Sequence, residues 1–383
     1  MPFDQFTIEQ LAGDMLPNAT VDQRIATGFH RNTMLNEEGG IDPLEFRFYA
    51  MTDRTATTGT VWLGLTIGCA QCHTHKYDPI SHHEYYGLFA LLNNADEPEL
   101  PLPDKSVEAQ RSEIEGRIER LTSTLAERFP VPEDAIGTTP TVPIAVRRKE
   151  LIGASFDSWV KDQSSKVNHW QIAQPASATA TTPALTILDD ESILASGDFR
   201  KSDTYDVQFS ELPAGVTGFR LEVIPDERLP RGGPGAVYYE GPLGDFFLSE
   251  VSFSQGGQRH QVIEATQSFA NGDNTAAKCI DGNKQSGWSI DGGQRRRHVA
   301  VFRLAEPTAE ASPLSISMLC ERWYAPGIGR FRWSYTSEPV GQANDLPSDV
   351  AEALMTPRES WSPEQRSALM NAFLQHAPEL KQA

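Results

Sequence analysis

The stretch Gly68-Cys-Ala-Gln-Cys-His-Thr-His-Lys-Tyr-Asp-Pro79 sets two thiols, two imidazoles and a carboxylate within a few positions of one another. Cys69, Cys72 and His73 form C-x-x-C-H, the spacing used to attach a c-type haem. Two thiols three positions apart on one helical turn can each make a thioether with a haem vinyl group, and the next residue then projects its imidazole at the iron. Two other chemistries compete. A redox dithiol also uses C-x-x-C, but in a thioredoxin-like strand and helix setting, whereas the flanks here read as helical. A zinc site built from Cys69, Cys72, His73 and His75 would crowd its ligands into one short segment and strain the tetrahedral geometry zinc prefers. The spacing favours haem, with His73 as proximal ligand. A zinc site or structural cysteines and histidines are the alternative.

His75 lies too close to His73 to swing to the opposite haem face. It is expected to contact a propionate or a neighbouring carboxylate. Candidates for a sixth iron ligand come from elsewhere, with Met34, His30 and His82 foremost and Met51 and His83 behind them. The ordinary reading of each is a core methionine or a turn histidine. A methionine ligand would imply a raised potential and electron transfer, and an open position would allow small-molecule chemistry. Cys279 and Cys320 read as core thiols, with a disulfide as the alternative in an oxidising compartment.

The elements that must position these residues carry legible caps. Thr20-Val-Asp-Gln23 is a capping box opening a helix to about Asn32. Gly39-Gly40 breaks the chain, and Asp42-Pro43 starts a long helix that runs towards the cysteines. Ser81-His-His-Glu84 is a second capping box, ahead of an apolar helix. Val107, Ile114, Ile118, Leu121 and Leu125 then alternate three- and four-residue steps, the seam of one arm of a helical hairpin whose return arm spans Ile144 to Val160. Prolines 130, 132, 140 and 143 crowd the connection.

Near Trp170 the pattern changes. PASATATTPA reads as a linker. Seven β-type runs follow (ALTIL, YDVQFSEL, GFRLEVI, FFLSEVSFS, HVAVFRL, LSISML and GRFRWSY), which predict a β-sandwich. From Pro347 helical cues return, with Ser348 as a cap and Ser362-Pro363 opening a helix to about His376. The expected fold class is multidomain α + β: a helical domain at 1–103, a hairpin arm at 104–164, a jelly-roll sandwich at 165–340 and C-terminal helices at 341–383. The sandwich would then be inserted into a helical unit.

The chain has 383 residues, with 52 acidic against 33 basic side chains and a net charge of -19. That balance works against nucleic-acid binding, which needs clustered Lys and Arg. The dense basic run Arg295-Arg296-Arg297 reads as a solvated loop. No run of about 18 apolar residues marks a membrane span. The opening MPFDQFTIEQLAGDMLP lacks the charged and apolar regions of a signal peptide and is already amphipathic, so the chain is expected to be a fragment of a longer protein.

Arg24–Gly40, Thr52–Asn94 and the helical arm after them resemble the planctomycete cytochrome-c-like domain, an uncharacterised family, over about Pro2 to Asp104. The resemblance implies a covalent haem c domain in exported multidomain proteins, with Cys69 and Cys72 as thioether cysteines and His73 as proximal ligand. It implies a periplasmic or extracytoplasmic location, and a redox partner protein or an adjacent cytochrome module as partner. Ala277–Gly293 (AKCIDGNKQSGWSIDGG) is similar to a segment of discoidin-like, galactose-binding-type jelly rolls. Such domains often bind carbohydrate and hold calcium near such turns, which makes Asp281, Asn283 and Trp288 candidate ligand or calcium-site residues and a polysaccharide a candidate partner. Read from the residues alone, Asp281-Gly282 is a tight turn and Trp288 fills the core. Tyr238, Tyr239, Trp323 and Tyr324 are candidate sugar-stacking aromatics. LPRGGPGAVYY lacks the Lys-Ser/Thr of a phosphate loop and reads as an irregular connection.

Two functions follow. The first is an exported c-type haem protein that transfers electrons or carries out haem redox chemistry, coupled to a carbohydrate- or partner-binding sandwich. The second is a non-haem scaffold and binding protein. No G-x-S-x-G, H-E-x-x-H or paired-carboxylate pattern supports a hydrolase.

Overall fold

The structure is a computed structural model that describes all residues except 34–41, 95–99, 101, 103, 133–142, 239, 345 and 383. Among the described residues, four helices precede the hairpin region: α1 (Phe3–Ala12), α2 (Val21–Ala26), α3 (Pro43–Thr58) and α4 (His82–Asn93). Their starts follow the caps. The capping boxes Thr20/Gln23 and Ser81/Glu84 are both formed, and the Asp42 carboxylate accepts from the amides of Leu44 and Glu45. Each box satisfies amides that a helix start otherwise leaves without partners. After α2 the chain tightens into a 3₁₀ turn over Thr27–Arg31 rather than continuing as α-helix.

Next come α5 (Lys105–Ser123), α6 (Leu125–Arg128) and α7 (Ile144–Ser164). The expected hairpin seam closes on its return arm only at its far end, where Leu125 packs in the cluster that holds Phe156. Val107, Ile114 and Ile118 of α5 are exposed, whereas Phe156 of α7 is buried. Phe156 instead packs with Phe129 and with two helices from the far end of the chain, α8 (Ser348–Met355) and α9 (Pro363–His376), through Val350, Leu354, Leu369 and Phe373. Helices on either side of the β region thus share one core. Pro347, rather than Ser348, occupies the capping position of α8. α9 opens with the formed capping box Ser362/Gln365.

The β region holds two antiparallel sheets. Its strands are β1 (Gln171–Ile172), β2 (Pro175–Ala180), β3 (Ala184–Ile187), β4 (Ile193–Ser196), β5 (Ser202–Leu212), β6 (Gly218–Val223), β7 (Glu250–Gln255), β8 (Gln258–His260), β9 (Val262–Gln267), β10 (His298–Leu304), β11 (Ser312–Glu321) and β12 (Arg330–Thr336). One sheet runs β3-β4-β12-β6-β10-β9 with β1 beside β12, and the other runs β2-β5-β11-β7-β8. Alternation drives their faces together: on β5, Tyr205, Val207 and Phe209 are buried while Asp206 and Gln208 are exposed. Across the shared core Phe219 of β6 stacks on Phe253 of β7 at 4.7 Å between ring centroids. The segment read as a linker, PASATATTPA, contains β2, an edge strand paired with β5.

The two ends of the β region clasp each other. Gln171 and Ile172 pair with Tyr335 and Ser334. Just outside, the Asn168 side chain donates to the Pro339 carbonyl at 2.7 Å and accepts from the Gly341 amide at 2.8 Å.

Candidate functional site around Cys69, Cys72 and His73

The cysteines are placed by the end of α3. That helix runs on into a π turn over Gly59–Leu63, and a 3₁₀ turn over Ile67–Gln71 then folds back against it. The fold-back depends on Gly59. A Cβ there would fall 2.4 Å from the side chain of Ile67, which is buried. α4 covers the other side: His82 Nδ1 donates to the Ala70 carbonyl at 3.0 Å and the Tyr86 hydroxyl donates to the Gln71 carbonyl at 3.3 Å.

In a 3₁₀ turn residues i and i+3 eclipse, so Cys69 and its successor Cys72, which caps the turn, lie on one side. Both thiols are free and exposed. His73 is exposed as well, and its Nδ1 donates to the Thr74 carbonyl at 2.7 Å. That bond holds the proton on Nδ1 and leaves Nε2 with a free lone pair, the state in which an imidazole ligates a metal.

His75 is turned inward. Its Nδ1 accepts from the Asp78 amide at 2.9 Å and the Tyr77 amide at 3.3 Å, while Nε2 faces the Thr66 hydroxyl at 3.3 Å. With Nδ1 accepting, the proton sits on Nε2, so the 3.2 Å approach of the Asp78 carboxylate is not an ion pair. His75 is the brace of the loop that follows the motif. Both of its nitrogens are engaged by protein, which removes it as the fourth ligand of the zinc alternative. Among the described residues, no three His, Cys, Asp or Glu side chains come together as metal ligands.

The sixth-ligand candidates scatter. His82 is bonded to the motif itself through Nδ1 and has Nε2 free. His30 faces α1, with Nε2 at 3.3 Å from the Leu11 carbonyl, and burial lowers its pKa. Met51 is fully buried in α3, and His83 is exposed. Met34 lies outside the described residues.

The helical unit around the motif has little interior. Among its described residues the buried apolar side chains are Ala50, Met51, Ile67, Ala70 and Tyr85, and neither large core cluster includes any of them. Phe48, Tyr49, Val61, Leu63, Tyr77 and Leu91 are exposed. His30 Nδ1, Thr58 Oγ1 and Trp62 Nε1 are buried without a hydrogen-bond partner. Two outward thiols on one turn, an imidazole with Nε2 free and open apolar surface are the parts that a covalently held haem requires, so the residues fit that group.

Residues 1–97 match a family model. It is described as PSCyt2, a protein of unknown function (DUF1549). The PSCyt2-like segment contains every residue of the motif and ends before α5, and no curated protein matches the chain.

In the β region the candidate residues do not form an open site. Trp288 is fully buried, donates through Nε1 to the Phe269 carbonyl at 2.8 Å and meets Phe246 edge-on, so its ring is not available to a surface ligand. Asp281 accepts from the Asn283 amide and the Ser286 hydroxyl, both at 2.8 Å, and Asn283 accepts from the Gln285 amide at 3.1 Å. These bonds close a turn. Burial, and then the Asp281 charge, push the nearby Glu250 carboxyl up. Trp323 and Tyr238 are exposed and Tyr324 is buried; Tyr239 lies outside the described residues. Cys279 and Cys320 are separate buried thiols. Cys279 Sγ donates to the Leu248 carbonyl at 3.1 Å, and burial pushes Cys320 up to about 12. The run Arg295-Arg296-Arg297 is not one solvated loop, because Arg297 pairs with Glu222 at 2.8 Å.

Proposed function

We propose that the PSCyt2-like segment carries a covalent haem c on Cys69 and Cys72, with His73 as the proximal ligand. The protein would then be an exported electron-transfer or haem redox protein whose two-sheet unit binds a carbohydrate or a partner. The observation that carries the reading is the His73 Nδ1 bond to the Thr74 carbonyl, which frees Nε2 on the same short segment that turns both thiols outward. Apolar surface left open on a unit with little core is a second support, since a haem buries such surface. The bound group would supply the electron-carrying iron. The chain's own part is to hold the thiols on one face, fix the His73 tautomer and brace the following loop through His75. Within this reading His82 is the sixth-ligand candidate joined directly to the motif.

The test is expression with c-type maturation machinery and an export signal, followed by haem staining after denaturing electrophoresis. The expected outcome is a stain that survives denaturation, with Cys72→Ala giving a single-thioether or haem-free product. An unchanged pyridine haemochrome spectrum in Cys72→Ala would remove the attachment assignment. Zinc in place of haem would favour the scaffold reading.

A further inference from the structure

Two stretches that the sequence leaves as irregular connections meet at one end of the β region. Arg231, from the Gly-rich segment, and Arg295 and Arg296, from the basic run, line a cavity of about 240 Å³ together with Gly292, Gly293 and Gln294. None of these three guanidiniums has a hydrogen-bond or ion-pair partner among the described residues. Six other arginines of the same unit are paired, Arg220, Arg228, Arg297, Arg303, Arg330 and Arg332 each meeting a carboxylate at 2.7–3.4 Å, whereas Arg322 bonds the Gln285 carbonyl and, among the described residues, the exposed Arg259 stands alone, away from this cavity. In a chain of net charge -19, three unpaired cations around one cavity mark a place where the missing counter-charge comes from outside.

The walls of the cavity are built rather than loose. Arg231 holds a left-handed backbone (φ 54°, ψ 20°), a conformation a non-glycine residue keeps only where its surroundings enforce it. The enforcing contact is backbone on backbone, because a Cβ on Gly233 would fall 2.5 Å from the Gly244 carbonyl oxygen. Asp245 then ties this loop to the other wall, accepting from the Ser289 hydroxyl at 2.6 Å and the Ile290 amide at 2.8 Å. Gln294 is held by Asp291 at 2.8 Å. The arginine forks are therefore presented by a preorganised frame, which lowers the ordering cost of binding.

The net charge narrows the ligand. Dense polyanions are repelled at long range, whereas an isolated anionic group within the ~8–10 Å screening distance feels the three arginines against the single carboxylate of Asp291, which is engaged by Gln294. An exposed aromatic is joined to one of these loops by packing. Tyr324 packs against Gly241, on the loop that supplies Leu243 to the cavity, and holds Trp323 edge-on at 4.9 Å with 60% of Trp323 exposed. Trp323 does not line the cavity itself, but an exposed ring carried on a segment packed against one of its loops, together with guanidinium forks, suits a sugar ring that carries an oxyanion.

We propose that this cavity binds a sugar residue bearing an oxyanion, either a carboxylate or a sulfate ester. The proposal rests on the two-sheet unit being a carbohydrate-binding module and is independent of the haem reading. It is tested by calorimetric titration of the full chain with three galactan oligosaccharides of matched length, one carrying a single uronic acid residue, one a single sulfate ester and one neutral. An acidic probe is expected to bind at least about tenfold more tightly than the neutral one, and which acidic probe binds distinguishes carboxylate from sulfate. Arg295→Gln and Arg296→Gln should each weaken that binding roughly tenfold, with Arg296→Lys in between because it keeps the charge and loses the fork. Arg259→Gln, on β8, should leave it unchanged, and unaltered melting temperatures report that the variants fold. Equal binding of neutral and acidic probes, untouched by the arginine substitutions, would overturn the oxyanion site and leave the module reading standing. Binding of none of the three probes would overturn both.

Discussion

Asp245 concentrates the electrostatics of the β region in one side chain. It is fully buried, and burial pushes its carboxyl from 3.8 up to about 6 despite the donors from Ser289 and Ile290. A raised carboxyl pKa means that the folded protein holds more protons than the unfolded chain between about pH 4 and 6, so the contribution to stability falls as pH rises through that window. At 1.36 kcal/mol per pH unit the rise corresponds to about 3 kcal/mol. Asp245→Asn removes the titration. Urea unfolding from pH 4 to pH 7 should therefore show the wild type losing about 3 kcal/mol relative to the variant, and parallel curves would contradict the assignment. At this scale the sequence yields residue types and spacing but not directions. His73 and His75 look alike in C-x-x-C-H-x-H, yet one has a ring nitrogen free and the other has both nitrogens engaged by its own loop. The arginines at 231, 295 and 296 carry no signal of convergence, because their meeting depends on how two distant loops fold.

Caps were the most legible elements, since each is a local device: the boxes at Thr20 and Ser81, the Asp42 cap and the helix start at Ser362 all form where their residues predict, while the cap expected at Ser348 falls on Pro347. β2 was hidden because its small residues carry little β signal of their own and are drafted by pairing with β5. The α5 seam misled for the opposite reason: its periodicity is sound, but α7 spends its apolar face on α8 and α9. Gly59 offers a test of the element that presents the cysteines. A glycine-to-alanine change at a helical position ordinarily stabilises by ~0.5–1 kcal/mol. Here the new methyl would meet Ile67, so Gly59→Ala should instead destabilise by about 1–3 kcal/mol. On the haem reading it should also lower haem incorporation. A stabilised variant with normal incorporation would show that the turn does not depend on this contact.

For the whole molecule, two cores of different origin predict two unfolding events. One is the two-sheet core, and the other joins α7 to α8 and α9 around Phe129, Phe156 and Phe373. Phe373→Ala should cost about 3–5 kcal/mol and move only the helical transition in a calorimetric scan. Movement of both would mean the cores unfold as one. The clasp at the ends of the β region bears on how such a molecule arises. Because β1 lies beside β12 and Asn168 bridges to Pro339 and Gly341, the chain leaves the helical layer and re-enters it at nearly the same point. An insert with its own ends fastened adds little loop-closure entropy to its host however long it is. The β region is in that sense an exchangeable cassette, and evolution could replace it with a shorter or different module without the surrounding helices losing their partners.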